Sequence, residues 1–142
     1  MQKEFVTYKI ALALKELGFN ESCFAVWNQG DSDTDGFCTS FMPRLYSYQI
    51  MIDDSQKCTG YCNSDKFKVA APLWQQAIDW FRTNHNLNVS WELSDDEYGK
   101  WYSITINNRT DCDESLTEYE KARKQAILKA IELIKKENKY DN

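Results

Sequence analysis

The sequence predicts an α+β domain in which three helices cover one face of a mostly antiparallel sheet, in the order α-β-(β-β)-α-β-β-α. Three observations predict this class: an amphipathic helix pattern after Pro72, a β-hairpin pattern around residues 95–99, and a helical pattern near each end of the chain. The chain of 142 residues has the size of one ordinary domain. We therefore predict a single domain over residues 1–142, with a frayed tail over residues 138–142.

The first helix is predicted from Lys3 to Leu17, because Gly18 supplies the left-handed conformation that the end of a helix favours. Apolar residues lie on two sides of this helix and leave only a narrow polar seam. Such a helix is either sandwiched between layers or part of a homo-oligomer interface. The first side carries Val6, Ile10, Ala13, Leu14 and Leu17, and the second carries Phe5, Tyr8 and Leu12.

Short extended segments are predicted in the first half of the chain. Ser22–Trp27 is aromatic and β-branched, as is typical of a strand. Phe37–Phe41 and Leu45–Ile52 also have an extended pattern, and Pro43 between them indicates a sheet edge or a bulge. The polar, turn-rich segment Asp53–Lys68 predicts a surface loop without regular structure.

The central helix is predicted to begin at Pro72, since proline suits the first helical position, and to end near His85. At 100° per residue its apolar residues fall on one half of the helix, which predicts a core-facing side. That half carries Leu73, Trp74, Ala77, Ile78, Trp80 and Phe81, and the other carries Gln75, Gln76, Asp79, Arg82 and Thr83.

A β-hairpin is predicted after the central helix, with strands over Asn88–Leu93 and Lys100–Asn107 and an acidic turn over Asp95–Gly99. Residues of the second strand alternate between its two sides. Tyr102, Ile104 and Ile106 are predicted to face the helices, and Trp101 to face the opposite side.

The last helix is predicted from Ser115, where Ser115 and Glu118 form a capping box, to about Lys136. Residues 121–139 hold seven basic and two acidic groups, a net charge of +5 in a chain whose overall charge is −5. This basic side is either a solvated face that complements the helix dipole or a contact for an acidic partner. The apolar arc carries Tyr119, Ala122, Ala126, Ala130, Leu133 and Ile134, with Ile127 beside it.

The segments Glu4–Phe19 (EFVTYKIALALKELGF), Ala71–Arg82 (APLWQQAIDWFR) and Tyr119–Lys135 (YEKARKQAILKAIELIK) contain the helical patterns, roughly a third of the chain. They resemble a family of small proteins encoded by bacteriophages and mobile elements of gut Bacteroidetes. The resemblance implies a soluble, intracellular accessory protein of a phage or prophage, and it implies no activity, cofactor or site residue. The segment Asp31–Lys68 departs most from the family pattern, so a function specific to this member is expected there.

Composition and the N-terminal pattern indicate a cytoplasmic protein. The net charge of −5 argues against general binding to nucleic acid or to an anionic membrane, since both depend on neutralising phosphate. No apolar run approaches about 18 residues, and the N-terminus lacks a signal-peptide pattern, so we expect a cytoplasmic protein. The resemblance implies that this is the cytoplasm of a bacterial host cell. The five cysteines are then expected to be reduced thiols, and the Cys58–Cys62 spacing matches neither a standard zinc site nor a redox pair.

Residues 31–36, DSDTDG, reproduce the start of an EF-hand calcium loop, in which alternate carboxylates converge on the cation and glycine permits the sharp turn. Met42 stands at the twelfth position, where such loops carry a bidentate glutamate. An acidic turn of this composition also forms without metal. The calcium hypothesis assigns Asp31, Asp33, Asp35, Phe37 and Thr39 as ligands, Phe37 through its backbone carbonyl.

No local catalytic motif is present, and His85, the only histidine, lies where a capping or surface role is typical. We therefore expect a non-catalytic accessory protein that binds a host or phage protein. The first alternative is a small-ligand binding protein that stacks a nucleotide-type ligand on aromatic side chains, and the second is a calcium-stabilised structural domain. The tryptophans considered for partner or ligand binding are Trp27, Trp80, Trp91 and Trp101.

Overall fold

The described residues of this computed structural model form three α-helices and six strands, and every strand pairing is antiparallel. The α+β class predicted from the sequence is thereby confirmed. The structure describes residues 2–28, 44–47, 63, 68–97, 99–112 and 116–140. The elements are α1 Tyr8–Glu16, β1 Ala25–Asn28, β2 Arg44–Ser47, β3 Lys68–Ala71, α2 Trp74–His85, β4 Val89–Asp96, β5 Gly99–Ile106, β6 Arg109–Cys112 and α3 Tyr119–Tyr140.

The strands form two three-stranded sheets, in the orders β2-β1-β3 and β4-β5-β6, where the sequence predicted one sheet. The middle strand of each sheet is paired on both sides, and each sheet contains one strand that was not predicted. Strand β3 pairs with β1 and completes the first sheet, and β6 pairs with β5 and completes the second.

The chain divides into two compact units, Met1–Trp74 and Gln75–Asn142. The first contains α1 and the sheet β2-β1-β3, and the second contains the sheet β4-β5-β6 and α3. Helix α2 begins at the last residue of the first unit and continues in the second. The single domain over residues 1–142 and the frayed tail over 138–142 stay predictions, and α3 itself continues to Tyr140.

Helix α1 begins at Tyr8, five residues later than predicted, because the chain before it pairs with the segment preceding α2. The Val6 N–H donates to the carbonyl of Pro72 at 3.0 Å, and Phe5 forms an isolated β-bridge with Leu73. This pairing also holds Pro72 outside a helix, so α2 begins at Trp74 and the predicted first helical position is wrong.

The end of α1 follows the prediction. Gly18 adopts a φ of +92°, and the Phe19 N–H donates to the carbonyl of Leu14 at 2.9 Å, as in a Schellman motif. The helix packs against β3 and buries Ile10 and Leu14 of the first predicted apolar side. Leu12 on the second side is exposed, and the homo-oligomer interface there stays a prediction.

Strand β3 begins at Lys68, the last residue of the segment predicted to lack regular structure. The side chain of Asn63 helps to fix this strand: its Oδ1 accepts from the N–H of Ala70 at 2.9 Å, and its Nδ2 donates to the carbonyl of Phe19 at 2.7 Å. One amide therefore connects the strand to the residues that follow α1.

The two sides of α2 are those predicted from the sequence. Trp74, Ala77, Trp80 and Phe81 are buried, and the opposite side is exposed or half-buried. The predicted hairpin is also confirmed as β4 and β5, whose register pairs Asp96 with Gly99 at the turn.

Strand β6 follows β5 through a two-residue turn. Asn107 and Asn108 have φ values of 46° and 67°, the left-handed pair that a type I′ hairpin turn requires. The register then pairs Ile106 with Arg109 and Ile104 with Asp111. The turn thereby adds a short polar strand to the edge of the sheet.

Helix α3 begins at Tyr119 rather than at the predicted Ser115, which lies outside the described residues. The carbonyl of Glu118 accepts from the N–H of Ala122 at 3.0 Å, so Glu118 stands at the N-cap. The helix packs against β4 and β5. Its buried residues are Ala122, Ala126, Ile127, Ala130, Ile131 and Ile134.

Candidate functional site

Three large side chains lie on one face of the β4-β5 hairpin: Trp91, Leu93 and Tyr102. The register pairs Trp91 with Ile104 and Leu93 with Tyr102, and directly paired residues of antiparallel strands share a face. Helix α3 packs on these strands and brings Tyr119, its first residue, to the same place. We call the surface formed by Trp91, Leu93, Tyr102 and Tyr119 the hairpin patch.

Tyr119 contacts both other aromatic rings of the hairpin patch. Its ring centroid lies 5.8 Å from that of Trp91 and 6.1 Å from that of Tyr102, at interplanar angles of 63° and 70°. These are edge-to-face contacts, the arrangement that the quadrupoles of aromatic rings favour. The Arg123 guanidinium, one helical turn further on, lies 5.4 Å from the centre of the same tyrosine ring. The ring is thus positioned by three neighbours.

The hairpin patch is open to solvent in spite of these contacts. Tyr119 is 49% exposed and Leu93 is 52% exposed, while Trp91 and Tyr102 are half-buried. Rings that are fixed by their neighbours lose little further conformational entropy when a partner covers them. The patch therefore has the physical properties of a preorganised apolar contact surface.

Carboxylates outnumber cations around the hairpin patch among the described residues. Asp95 pairs with Lys100 at 3.0 Å near the hairpin turn, and Glu118 pairs with Lys121 at 2.6 Å at the start of α3. This excess of carboxylates at the hairpin turn and at the start of α3 favours a basic partner. Along the sequence, the hairpin turn and the start of α3 carry the acidic residues Asp95, Asp96, Glu97, Glu118 and Glu120 and the basic residues Lys100, Lys121 and Arg123.

Two of the four tryptophans considered for binding belong to the core. Trp27 is buried, its Nε1–H donates to the carbonyl of Val6 at 3.2 Å, and its ring meets Tyr8 edge-on at 6.2 Å. Trp80 is buried beside Phe81 and His85. Neither ring presents an open face for a ligand to stack on, because core packing occupies both.

Trp91 and Trp101 are both half-buried, but they lie on opposite faces of the sheet. Trp101 pairs with Ser94, on the face that α3 does not cover, as the sequence predicted. The surface neighbours of Trp101 on that face are mostly polar residues such as Ser103 and Thr105. Only Trp91 therefore belongs to the hairpin patch.

His85 ends α2 with a half-buried ring whose centroid lies 4.6 Å from that of Trp80. Its Nε2 is shielded from solvent and forms no hydrogen bond within the described part of the chain. Burial lowers the pKa of His85 below its ordinary value of 6.5, and the carboxylate of Glu137 partly offsets this change. The ring is therefore neutral at pH 7.

The predicted calcium ligands, from Asp31 to Thr39, lie outside the described residues, as do Cys58 and Cys62. Within the described ranges no three side chains of histidine, cysteine, aspartate or glutamate come together as a metal site would require. None of the helices described here is both long and apolar enough to cross a membrane.

Sequence reasoning did not identify Leu93, Tyr102 and Tyr119 as candidate site residues. Tyr119 fits the apolar arc of the last helix, so its pattern predicts a core residue, but the helix begins at that residue and its ring projects beyond the core. The hairpin pattern could have identified two of them, because the alternation of side chains places Leu93 beside Tyr102 on the face that carries Trp91.

Comparisons with known protein families, with curated proteins and with solved structures find no match to this chain. The resemblance to phage and mobile-element proteins therefore stays a prediction.

Proposed function

We propose that this protein acts by binding a partner protein through the hairpin patch, without catalysis of its own. The observation that carries the proposal is the exposure of Leu93 and Tyr119 within a cluster of fixed aromatic rings. Tyrosine, tryptophan and arginine supply most of the binding energy in protein interfaces, and the hairpin patch contains Tyr119 and Trp91, with Arg123 beside it.

The acidic surroundings of the hairpin patch suggest the chemistry of the partner. A segment that carries apolar anchors and several lysines or arginines complements both the rings and the carboxylates near Asp95 and Glu118. We propose a host or phage protein of this kind as the partner, in the phage context that the sequence resemblance implies. Because much of the attraction is between exposed charges, the association rate should fall as the salt concentration rises.

The test uses two variants of exposed residues, Leu93→Ser and Tyr119→Ser, and a matched control, Phe24→Ser. Phe24 is 51% exposed, about as much as Leu93, and belongs to the other compact unit. Each purified protein is immobilised, lysate of a candidate bacterial host is applied with and without phage infection, and retained proteins are quantified by mass spectrometry. The dissociation constant of the best candidate is then measured with purified components.

A partner retained by the unmodified protein and by Phe24→Ser, but bound at least about tenfold more weakly by Tyr119→Ser, supports the proposal. A partner that binds all four proteins equally places the interface elsewhere. Sedimentation of the same proteins distinguishes a further case: a dimer that only Leu93→Ser and Tyr119→Ser dissociate would assign the hairpin patch to self-association and refute a foreign partner there.

A further inference from the structure

A separate concave site lies on the same sheet face, beside the second half of α3. A cavity of about 240 Å³ opens between that part of the helix and the edge strand β6. We call it the β6 pocket. It is lined by the aliphatic residues Ile104, Ile106 and Leu133 and by the basic residues Arg109, Lys129 and Lys136.

The sheet register explains why an apolar floor meets basic groups here. Ile104 and Ile106 are almost fully buried on the face that α3 covers. Strand β6 places Asp111 directly beside Ile104 and Arg109 directly beside Ile106, so the short polar strand forms one wall. Leu133 extends the apolar floor from the helix side.

Among the described residues, the charges at the β6 pocket leave one cation without a partner. Lys129 is only 25% exposed and forms an ion pair with Asp111, and Lys136 pairs with Glu132 at 3.4 Å. The guanidinium of Arg109 forms no hydrogen bond or ion pair with the described residues. Three cations and two carboxylates therefore leave a net positive charge of one at the mouth of the pocket.

We propose that the β6 pocket binds a small monocarboxylate whose body is a single ring or a short aliphatic chain. The carboxylate would accept paired hydrogen bonds from Arg109, whose planar guanidinium matches it in shape and charge. The apolar body would lie on Ile104, Ile106 and Leu133. The size follows from the cavity, which is smaller than the roughly 300–1,000 Å³ of pockets for drug-sized ligands. This site is independent of the partner proposed for the hairpin patch.

The probe is 4-phenylbutyrate, titrated into the full chain labelled at its isoleucine and leucine methyl groups and followed by NMR. Its neutral analogue 4-phenylbutan-1-ol has the same body without the charge, and inorganic phosphate has charge without the body. The variant Arg109→Gln removes the cation that has no partner in the described part of the chain. Lys121→Gln, on α3 but outside the pocket, removes an exposed charge of the same sign and serves as the matched control.

We expect 4-phenylbutyrate to shift the methyl signals of Ile104, Ile106 and Leu133 with a saturating curve. The alcohol and Arg109→Gln should each weaken binding about tenfold, the effect of losing a charge-assisted pair at an open site. Lys121→Gln should bind as the unmodified protein does. The proposal is overturned if the alcohol or phosphate binds as tightly as the acid, if Arg109→Gln has no effect, or if these methyl signals do not move.

Discussion

Asn107 connects the β5-β6 turn to the segment between α2 and β4. Its side-chain Oδ1 accepts from the N–H of Asn88 at 2.8 Å, and its Nδ2 donates to the carbonyl of Asn86 at 3.0 Å. Its own N–H donates to the carbonyl of Asn88 at 3.1 Å. Asn108, the next residue, also has a positive φ but forms no side-chain hydrogen bond with the described residues. The pair therefore separates the effect of backbone conformation from that of hydrogen bonding.

The expected losses in the free energy of unfolding follow from this geometry. Asn107→Gly keeps the left-handed conformation and removes two side-chain bonds that are exposed to solvent, so it should cost about 1–3 kcal/mol, at about 0.5–1.5 for each bond. Asn107→Ala adds the strain of a positive φ and should cost about 1–2 kcal/mol more than Asn107→Gly. Asn108→Gly should change stability by less than about 0.5 kcal/mol.

Urea unfolding followed by tryptophan fluorescence measures these differences, provided that the denaturant slope stays constant across the series. Equal costs for Asn107→Gly and Asn108→Gly would show that the side-chain bonds of Asn107 contribute nothing. Equal costs for the glycine and alanine variants at position 107 would contradict the left-handed conformation itself.

Three further predictions concern the core, the acidic loop and the histidine. Phe81→Ala, at a fully buried position, should cost about 3–5 kcal/mol in chemical denaturation, whereas Gln75→Ala on the exposed side of α2 should be nearly neutral. On the calcium hypothesis, millimolar Ca²⁺ raises the melting temperature and the double change Asp31→Ala, Asp33→Ala abolishes the gain, and calorimetry without a binding heat would contradict it. Because burial lowers the pKa of His85, the unfolded state binds this proton more readily than the folded state does. The contribution of the neutral ring to the free energy of unfolding should therefore be present above pH 6.5 and should be lost as the pH falls below that value. The same pH series on His85→Gln should show a smaller loss of stability.

The repeat of apolar residues along the sequence predicted the elements that bury one side over their whole length. The central helix and the β4-β5 hairpin each repeat an apolar pattern over several turns or several residue pairs, so their buried sides could be derived without the structure. Strands β3 and β6 have four residues each, and β6, with the sequence RTDC, is exposed throughout. Such short segments form strands because a neighbouring strand pairs with them, and this pairing cannot be read from the local sequence pattern.

Of the hairpin patch, only Trp91 was among the residues that the sequence indicated for binding. Four tryptophans were considered for binding, but composition does not distinguish Trp27, which donates to the Val6 carbonyl in the core, from Trp91, which is half-buried on β4. The exposure of Tyr119 beside Trp91 depends on where α3 begins. A shift of its start from Ser115 to Tyr119 moves one ring from the predicted core arc to the surface.

We expect Tyr119, the exposed anchor of the hairpin patch, and Arg109, the cation of the β6 pocket, to act independently, although Trp91 of the patch pairs directly with Ile104 of the pocket floor. Tyr119 and Lys129 are ten residues apart on a continuous helix, which corresponds to about 15 Å at ~1.5 Å per residue. Substitutions farther apart than about 7–10 Å, without shared partners, usually have additive effects. The double variant Tyr119→Ser, Arg109→Gln should therefore lose partner binding as Tyr119→Ser does and acid binding as Arg109→Gln does, within about 0.5 kcal/mol of each single effect. If saturating 4-phenylbutyrate instead changed the affinity for the partner severalfold, the two sites would be coupled, either through α3 or through the Trp91–Ile104 pair, and the expected additivity would be wrong.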